Sequence, residues 1–256
     1  MLKQITPLIL TYNEQANIGR TLDALSWANE IIVVDSQSTD ATLEICAKYA
    51  NVTCLQRAFD QHAKQWNFGL DHLREASWVL ALDADHVVSQ DYVNELRNTD
   101  PTSAEAFRNG FVYCQDGVPL TGSLYPPIVA LFKPQQAHYV QDGHTQRLRT
   151  NGRIADLKAK NFHDDRKPFA RWYTAQWRYA HLEAQKLAES SASNLRWSER
   201  ARLVPFLSPF LVLFYTLIVK GVIRNGWPGI KYSSQRVLAE FILHCARIKR
   251  WLTRQT

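Results

Sequence analysis

The stretch "WVLALDADHV", Trp78 to Val87, runs five apolar residues straight into Asp83 and Asp85. A short apolar run of this kind reads as a strand buried on both faces. Carboxylates at the end of such a strand are costly to bury unless a cation or hydrogen-bond donors compensate them. The stretch therefore predicts a parallel sheet and, at its edge, a ligand.

Working outward, "ITPLIL" (5–10), "EIIVVD" (30–35) and "VTCL" (52–55) repeat the strand pattern. Helical spacing separates them. Ile18, Leu22 and Leu25 share one face after Asn13, a candidate cap. Leu43, Ala47 and Ala50 share another after Ser38, Thr39 or Asp40, and "HAKQWNFGLDHLREA" supplies a third helix. Strands alternating with helices imply parallel pairing through right-handed crossovers. In such open sheets ligands bind beyond the carboxyl ends of the strands. Glu14, Asp35, Asp83 and Asp85 all fall at those ends. Beyond residue 105 "AFRNGFVYC" and "PIVALFK" are expected strands around the loop "DGVPLTGSLYPP", and helical spacing returns from Phe169 to about Leu195.

The 256 residues suffice for one large α/β domain with an appendage. The net charge of +6 is unevenly distributed: from Arg196 onward eleven Lys and Arg face two Glu, whereas the first 195 residues carry 19 basic and 22 acidic groups. The reading is thus a catalytic domain over 1–195 and a basic, apolar helical region over 196–256. Cys46, Cys54, Cys114 and Cys245 form no CxxC pair, which fits reduced thiols in a cytosolic compartment. The opening "MLKQITPLILTYNE" is read as a first strand rather than a secretory leader.

Two aspartates two residues apart, at a strand-to-loop exit, can turn toward one ligand. Mg²⁺ or Mn²⁺, taking one or two carboxylates plus phosphate oxygens, would compensate them. A rival DxD phosphohydrolase needs its aspartate on the first strand of the core, and here the pair follows the fourth.

"PLILTYNE" (7–14), "VVDSQSTD" (33–40) and "WVLALDAD" (78–85) together resemble the inverting family 2 glycosyltransferases, and the remainder is similar to the lipopolysaccharide-core glucosyltransferase subgroup through "QDGHT", "HDDRK" and the basic C-terminus. The resemblance implies a GT-A (Rossmann-like) fold: a mostly parallel mixed sheet flanked by helices, with a C-terminal helical membrane-associating extension. It implies that Tyr12, Glu14 and Asp35 hold the base and ribose of a nucleotide sugar, that Asp83 lies near the ribose or diphosphate, and that Lys64 or Asn67 approaches the nucleotide. Asp85 and His163 would hold the metal. Inverting transfer also needs a carboxylate base for the acceptor hydroxyl. Asp142 is preferred for it, with Asp164 and Asp165 as rivals, because relatives often carry His-Glu where this chain has His144-Thr145.

From Leu203 to Val219 no residue is charged. Such a run spans roughly 25 Å as a helix at about 1.5 Å per residue, short of the roughly 30 Å hydrocarbon core. Pro205, Ser208 and Pro209 are expected to shorten the continuous helix further, and both flanks are basic. An interfacial or re-entrant helix is expected, ahead of a buried core helix or a true span, with Trp227 and Trp251 at headgroup depth. The expected partners are a nucleotide-sugar donor, probed first as a UDP-sugar, a lipid-linked glycan or lipopolysaccharide acceptor, and an anionic membrane surface on the cytoplasmic side. The uncharged run is the wrong surface for nucleic acid.

Overall fold

Five consecutive buried residues, Ile31–Asp35, form β2, and five of the six in Trp78–Asp83, β4, are buried as well. Between them in space lies β1 (Ile5–Thr11), paired in parallel with both. The computed structural model describes all residues except 143, 144, 192, 194, 196, 205, 206 and 254–256. With β3 (Val52–Gln56), β5 (His86–Val87), β6 (Ala106–Gln115), β8 (Ile128–Phe132) and β11 (Ile154–His163), the strand order is β3-β2-β1-β4-β8-β6-β11-β5, and β7 (Val118–Pro119) pairs with β6. Pairing is parallel from β3 through β4 and between β6 and β11; β8 and β5 run antiparallel to their neighbours. This is the mostly parallel mixed sheet, flanked by helices, that the sequence predicts.

The helices cover the sheet because their small and apolar faces fit it. α1 (Ile18–Asp23) buries Ile18 and Leu22 in one core cluster with Ile9, Val33 and Leu80. α3 (His62–Asp71) lies on the opposite face with Trp66 and Leu70 against Leu8 and Val34. It approaches so closely that a Cβ on Gly69 would sit 2.6 Å from Leu8 Cδ1. α4 (Gln90–Asn98) is capped by Ser89, whose hydroxyl accepts from Tyr92 N–H.

Several local expectations are corrected. Asn13 does not cap α1, which begins after Asn17; it takes a left-handed φ of 56°, a conformation Asn tolerates, and its side chain accepts from Thr39 N–H. α2 is confined to Thr42–Cys46 rather than reaching Ala50, and Asp40 Oδ1 accepts from Thr42 N–H at its start. A hairpin of β9 (Ala137–Asp142) and β10 (Thr145–Thr150) forms a separate two-stranded sheet that the sequence reading did not anticipate.

The chain divides into two compact units: Met1–Pro119 with Tyr125–Arg166, and Leu120–Leu124 with Lys167–Thr256. These compact units divide at 166/167, whereas the sequence reads as a catalytic domain over 1–195 and a basic helical region over 196–256. The reason is packing: α5 (Phe169–Glu189) buries Ala180, Ala184 and Leu187 against Ile242, Leu243 and Ala246 of α8 (Trp227–Thr253). Within this unit Arg202 pairs with Glu240 at 2.6 Å and with Glu183 at 3.2 Å. The short segment 120–124 is held by Thr121 N–H to Asn225 Oδ1 at 3.0 Å and by Leu124 N–H to Tyr232 Oη at 2.7 Å.

Pro209 lies within the helical part of the uncharged run rather than breaking it. α6 (Trp197–Ala201) and α7 (Leu207–Phe214) are short, and Tyr215–Val219 continues as a π-turn. Pro205 lies outside the described residues. No helix among them is long and apolar enough to cross a membrane. Phe210, Phe214, Ile218 and Val219 are all more than half exposed, so the run is not a buried core helix.

Candidate active site

The parallel strands β2, β1 and β4 end at one edge, and their register decides what meets there. Thr11 stands opposite Asp35, and Leu10 opposite Asp83. With one strand between them at about 4.8 Å per spacing, the Cα atoms of Asp35 and Asp83 are roughly 10 Å apart.

Asp35 is fully buried and its carboxylate is compensated by donors: Thr11 Oγ1–H at 2.9 Å, Ser38 N–H at 2.8 Å and the Ser38 hydroxyl at 2.5 Å. Ser38 Oγ in turn accepts from Asn13 N–H, which fixes the loop after β1. Tyr12, in that loop, is half exposed. Glu14 follows, its N–H donating to Thr42 Oγ1 and its carboxylate accepting from Asn17 Nδ2 at 2.8 Å.

Asn17, fully buried, joins this loop to the end of β11. The same Nδ2 reaches Asp165 Oδ1 at 3.0 Å, while its Oδ1 accepts from Arg166 N–H and Arg20. Asp164 is held by Arg166 Nε at 2.7 Å and lies 3.6 Å from Arg20 Nε. Its partners occupy it. Only a buried polar hub reveals such a role, and the sequence reading passed over Asn17.

Asp83 is half exposed at the exit of β4. Asp85 is buried, and its carbonyl accepts from Asp164 N–H at 2.9 Å, an extension of the β5/β11 pairing that sets His86 opposite His163. That pairing brings His163 Nε2 to 3.4 Å from Asp85 Oδ2. Asp85, His86 and His163 each place a ligand-capable atom within 4.8 Å of the others. The buried Nδ1 of His163 has no hydrogen-bond partner among the described residues. A carboxylate and an imidazole converging on one point, with Asp83 beside them, fit a divalent ion.

The two imidazoles differ electrostatically. Burial pushes His86 below the ordinary histidine range, and the pull of Asp83 and Asp85 does not overcome it. Burial acts on His163 as well, but the charge of Asp85 and its hydrogen bond outweigh it and raise that ring's pKa. Tyr125, which no strand or helix pattern singled out, places its hydroxyl 3.0 Å from His86 Nε2 and its ring 4.4 Å from that of His163.

Lys64, Asn67 and Asp142 each have partners of their own. Lys64 is exposed on α3 and pairs with Asp60 at 3.1 Å. Both ends of the Asn67 amide bond the main chain of Tyr139, joining α3 to β9. Asp142 closes β9 and pairs with Arg147 of β10 at 2.5 Å; the neighbouring Gly143 and His144 lie outside the described residues.

Residues 8–99 match the family model described as Glycosyl transferase family 2. An uncharacterized glycosyltransferase of Rickettsia typhi is 33% identical over 96 residues, 37% of this chain and 32% of that protein, and one of Rickettsia felis is 31% identical over 96 residues, 37% of this chain and 33% of that protein. The chain thus spans about a third of the length of the curated relatives it matches. Among solved structures, glucosyl-3-phosphoglycerate synthase from Mycobacterium tuberculosis is similar at a TM-score of 0.49 and 14% identity, covering 73% of this chain and 79% of that one. The residues matched by the family model, 8–99, contain Glu14, Asp35, Asp83 and Asp85.

Proposed function

We propose that the protein transfers a sugar, with inversion, from a nucleotide sugar to a lipid-linked glycan or lipopolysaccharide-core acceptor at the cytosolic membrane face. The observation that carries this reading is the convergence of Asp35, Asp83, Asp85 and His163 on one sheet edge. The separation of Asp35 from Asp83 matches a nucleoside at one end and its diphosphate at the other.

In this reading Tyr12, Glu14 and Asp35 hold the base and ribose of a UDP-sugar, and Asp85 and His163 hold the divalent ion. A mixed carboxylate and imidazole set favours Mn²⁺ over Mg²⁺, which demands oxygen ligands more strictly. When bound, the ion neutralises charge on the diphosphate. Asp142 takes the proton of the acceptor hydroxyl as that oxygen bonds to the anomeric carbon and the nucleotide leaves with the bonding electrons. Asp142, paired with one arginine and the more exposed of the two carboxylates, is favoured over Asp164, which two arginines engage. Tyr139, on the same strand as Asp142, has its pKa raised by burial and also by the charge of Asp83, which supports β9 as a wall of this site. The exposed apolar side chains of α7 and the basic residues of α8 would meet the anionic membrane that carries the acceptor.

A thermal-unfolding screen of nucleotide sugars with and without Mn²⁺ tests the reading, since a ligand bound only by the folded form raises stability. Mn²⁺-dependent protection by a UDP-sugar is expected. Equal indifference to every nucleotide sugar would overturn it.

A further inference from the structure

Asp85, His86 and His163 look like three ligands when only distances are considered. Hydrogen bonding separates them. A main-chain N–H can only donate, and that of Asp83 points at His86 Nδ1 at 3.2 Å. The Nδ1 lone pair is therefore in use, and a neutral ring must carry its proton on Nε2. That Nε2–H meets Tyr125 Oη at 3.0 Å, which accepts it. Both ring nitrogens are thus satisfied within a side chain that is 1% exposed. Nε2 stands 3.7 Å from Asp83 Oδ2 and 3.9 Å from Asp85 Oδ1, beyond hydrogen-bonding reach of either.

Ligation by His86 would require moving its proton to Nδ1, where it would face the Asp83 N–H, donor against donor. His163 meets no such obstacle. Phe111 packs on the His86 ring with centroids 4.5 Å apart, and Tyr125 stands edge-on to both imidazoles.

We propose that Tyr125 is a positioning residue that acts through His86: the pair pins the turn carrying Asp83 and Asp85, so that Asp85 and His163 bind the cation while His86 does not. This rests on the glycosyltransferase reading only for the use to which the cation is put. His86 lies inside the carboxylate motif, but its task is to hold the motif's shape. Tyr125 extends that hold from a distant loop.

Ring ¹⁵N NMR of the full chain without divalent ions tests the tautomer directly. His86 is expected as the Nε2–H form with slow exchange of that proton, and Tyr125→Phe should speed the exchange at least tenfold. Mn²⁺ affinity, read by electron paramagnetic resonance of free Mn²⁺ in the presence of UDP, tests the ligand assignment. His86→Asn keeps an acceptor for the Asp83 N–H and should hold Mn²⁺ within a few-fold of wild type. Losing a ligand costs at least the roughly 10–100-fold that loss of an orienting bond costs, so His163→Asn should lose tenfold or more, whereas His86→Asn keeps the orienting bond to the Asp83 N–H. A proton on Nδ1 of His86, or equal losses in His86→Asn and His163→Asn, would overturn the proposal. A wild-type chain that ignores UDP would instead remove the glycosyltransferase reading, and the tautomer measurement would still judge the role of His86.

Discussion

His163 Nε2 lies 3.4 Å from Asp85 Oδ2 because the last residue of β11 pairs with the first of β5, one step beyond Asp85. Two ligands of one divalent ion at cis positions of an octahedron, each about 2.1 Å from it, stand about 3 Å apart. Asp85→Asn is accordingly expected to weaken Mn²⁺ binding by tenfold or more in isothermal titration calorimetry, while its unfolding midpoint without metal stays near wild type. Undiminished Mn²⁺ affinity would exclude Asp85 as a ligand.

Asp142 faces Arg147 across the β9/β10 hairpin. Asp142→Asn should abolish sugar transfer and leave UDP binding within about threefold of wild type, because a base acts on the acceptor and not on the nucleotide. A fully active Asp142→Asn enzyme would move the role elsewhere.

Asn17 joins Glu14, Asp165, Arg20 and the Arg166 main chain from a fully buried position. Hydrogen bonds to charged partners contribute about 1.5–3 kcal/mol each, and the groups left behind here are partly solvated. Asn17→Ala should lower the unfolding free energy by about 2–4 kcal/mol in urea. A loss under 0.5 kcal/mol would show that the hub is not structural.

Tyr49 donates to Asp23 at 2.8 Å, and burial, then that bond and the charge of Asp23, push its phenol up to about 12. The fold therefore favours the neutral phenol. This contribution to stability is complete below pH 10, the ordinary phenol value, and is lost as pH rises toward 12. Tyr49→Phe should flatten the stability profile in that window and lower stability at pH 7 by about 1 kcal/mol, the usual net worth of the lost hydrogen bond. An identical alkaline slope in the variant would contradict the assignment.

Phe210 and Phe214 sit one helical turn apart and are 69% and 61% exposed. Burying a large apolar side chain in a bilayer interface contributes about 1.5–3 kcal/mol, and each 1.4 kcal/mol is about tenfold in partitioning. The double change to Asp should reduce sedimentation with phosphatidylglycerol vesicles by a hundredfold or more. Binding that persists would show that α7 does not face lipid.

The amino-acid sequence determined the first half of the sheet and the acidic groups on its rim. Strands buried on both faces must be continuously apolar, so Ile31–Val34 and Trp78–Leu82 announce themselves, and a carboxylate closing such a run stands out against it. Strand β11 does not announce itself: it alternates exposed Lys158 and Lys160 with buried Leu157 and Asn161, and only pairing with β6 makes it a strand. The partners of the carboxylates belong to the tertiary structure alone. Asn17, His86 and Tyr125 are polar side chains whose meaning lies in which donors and acceptors surround them, and those come from segments far apart in the chain. Local propensity carries no information about such partners, because a hydrogen bond between distant residues exists only after the core has brought their strands into register.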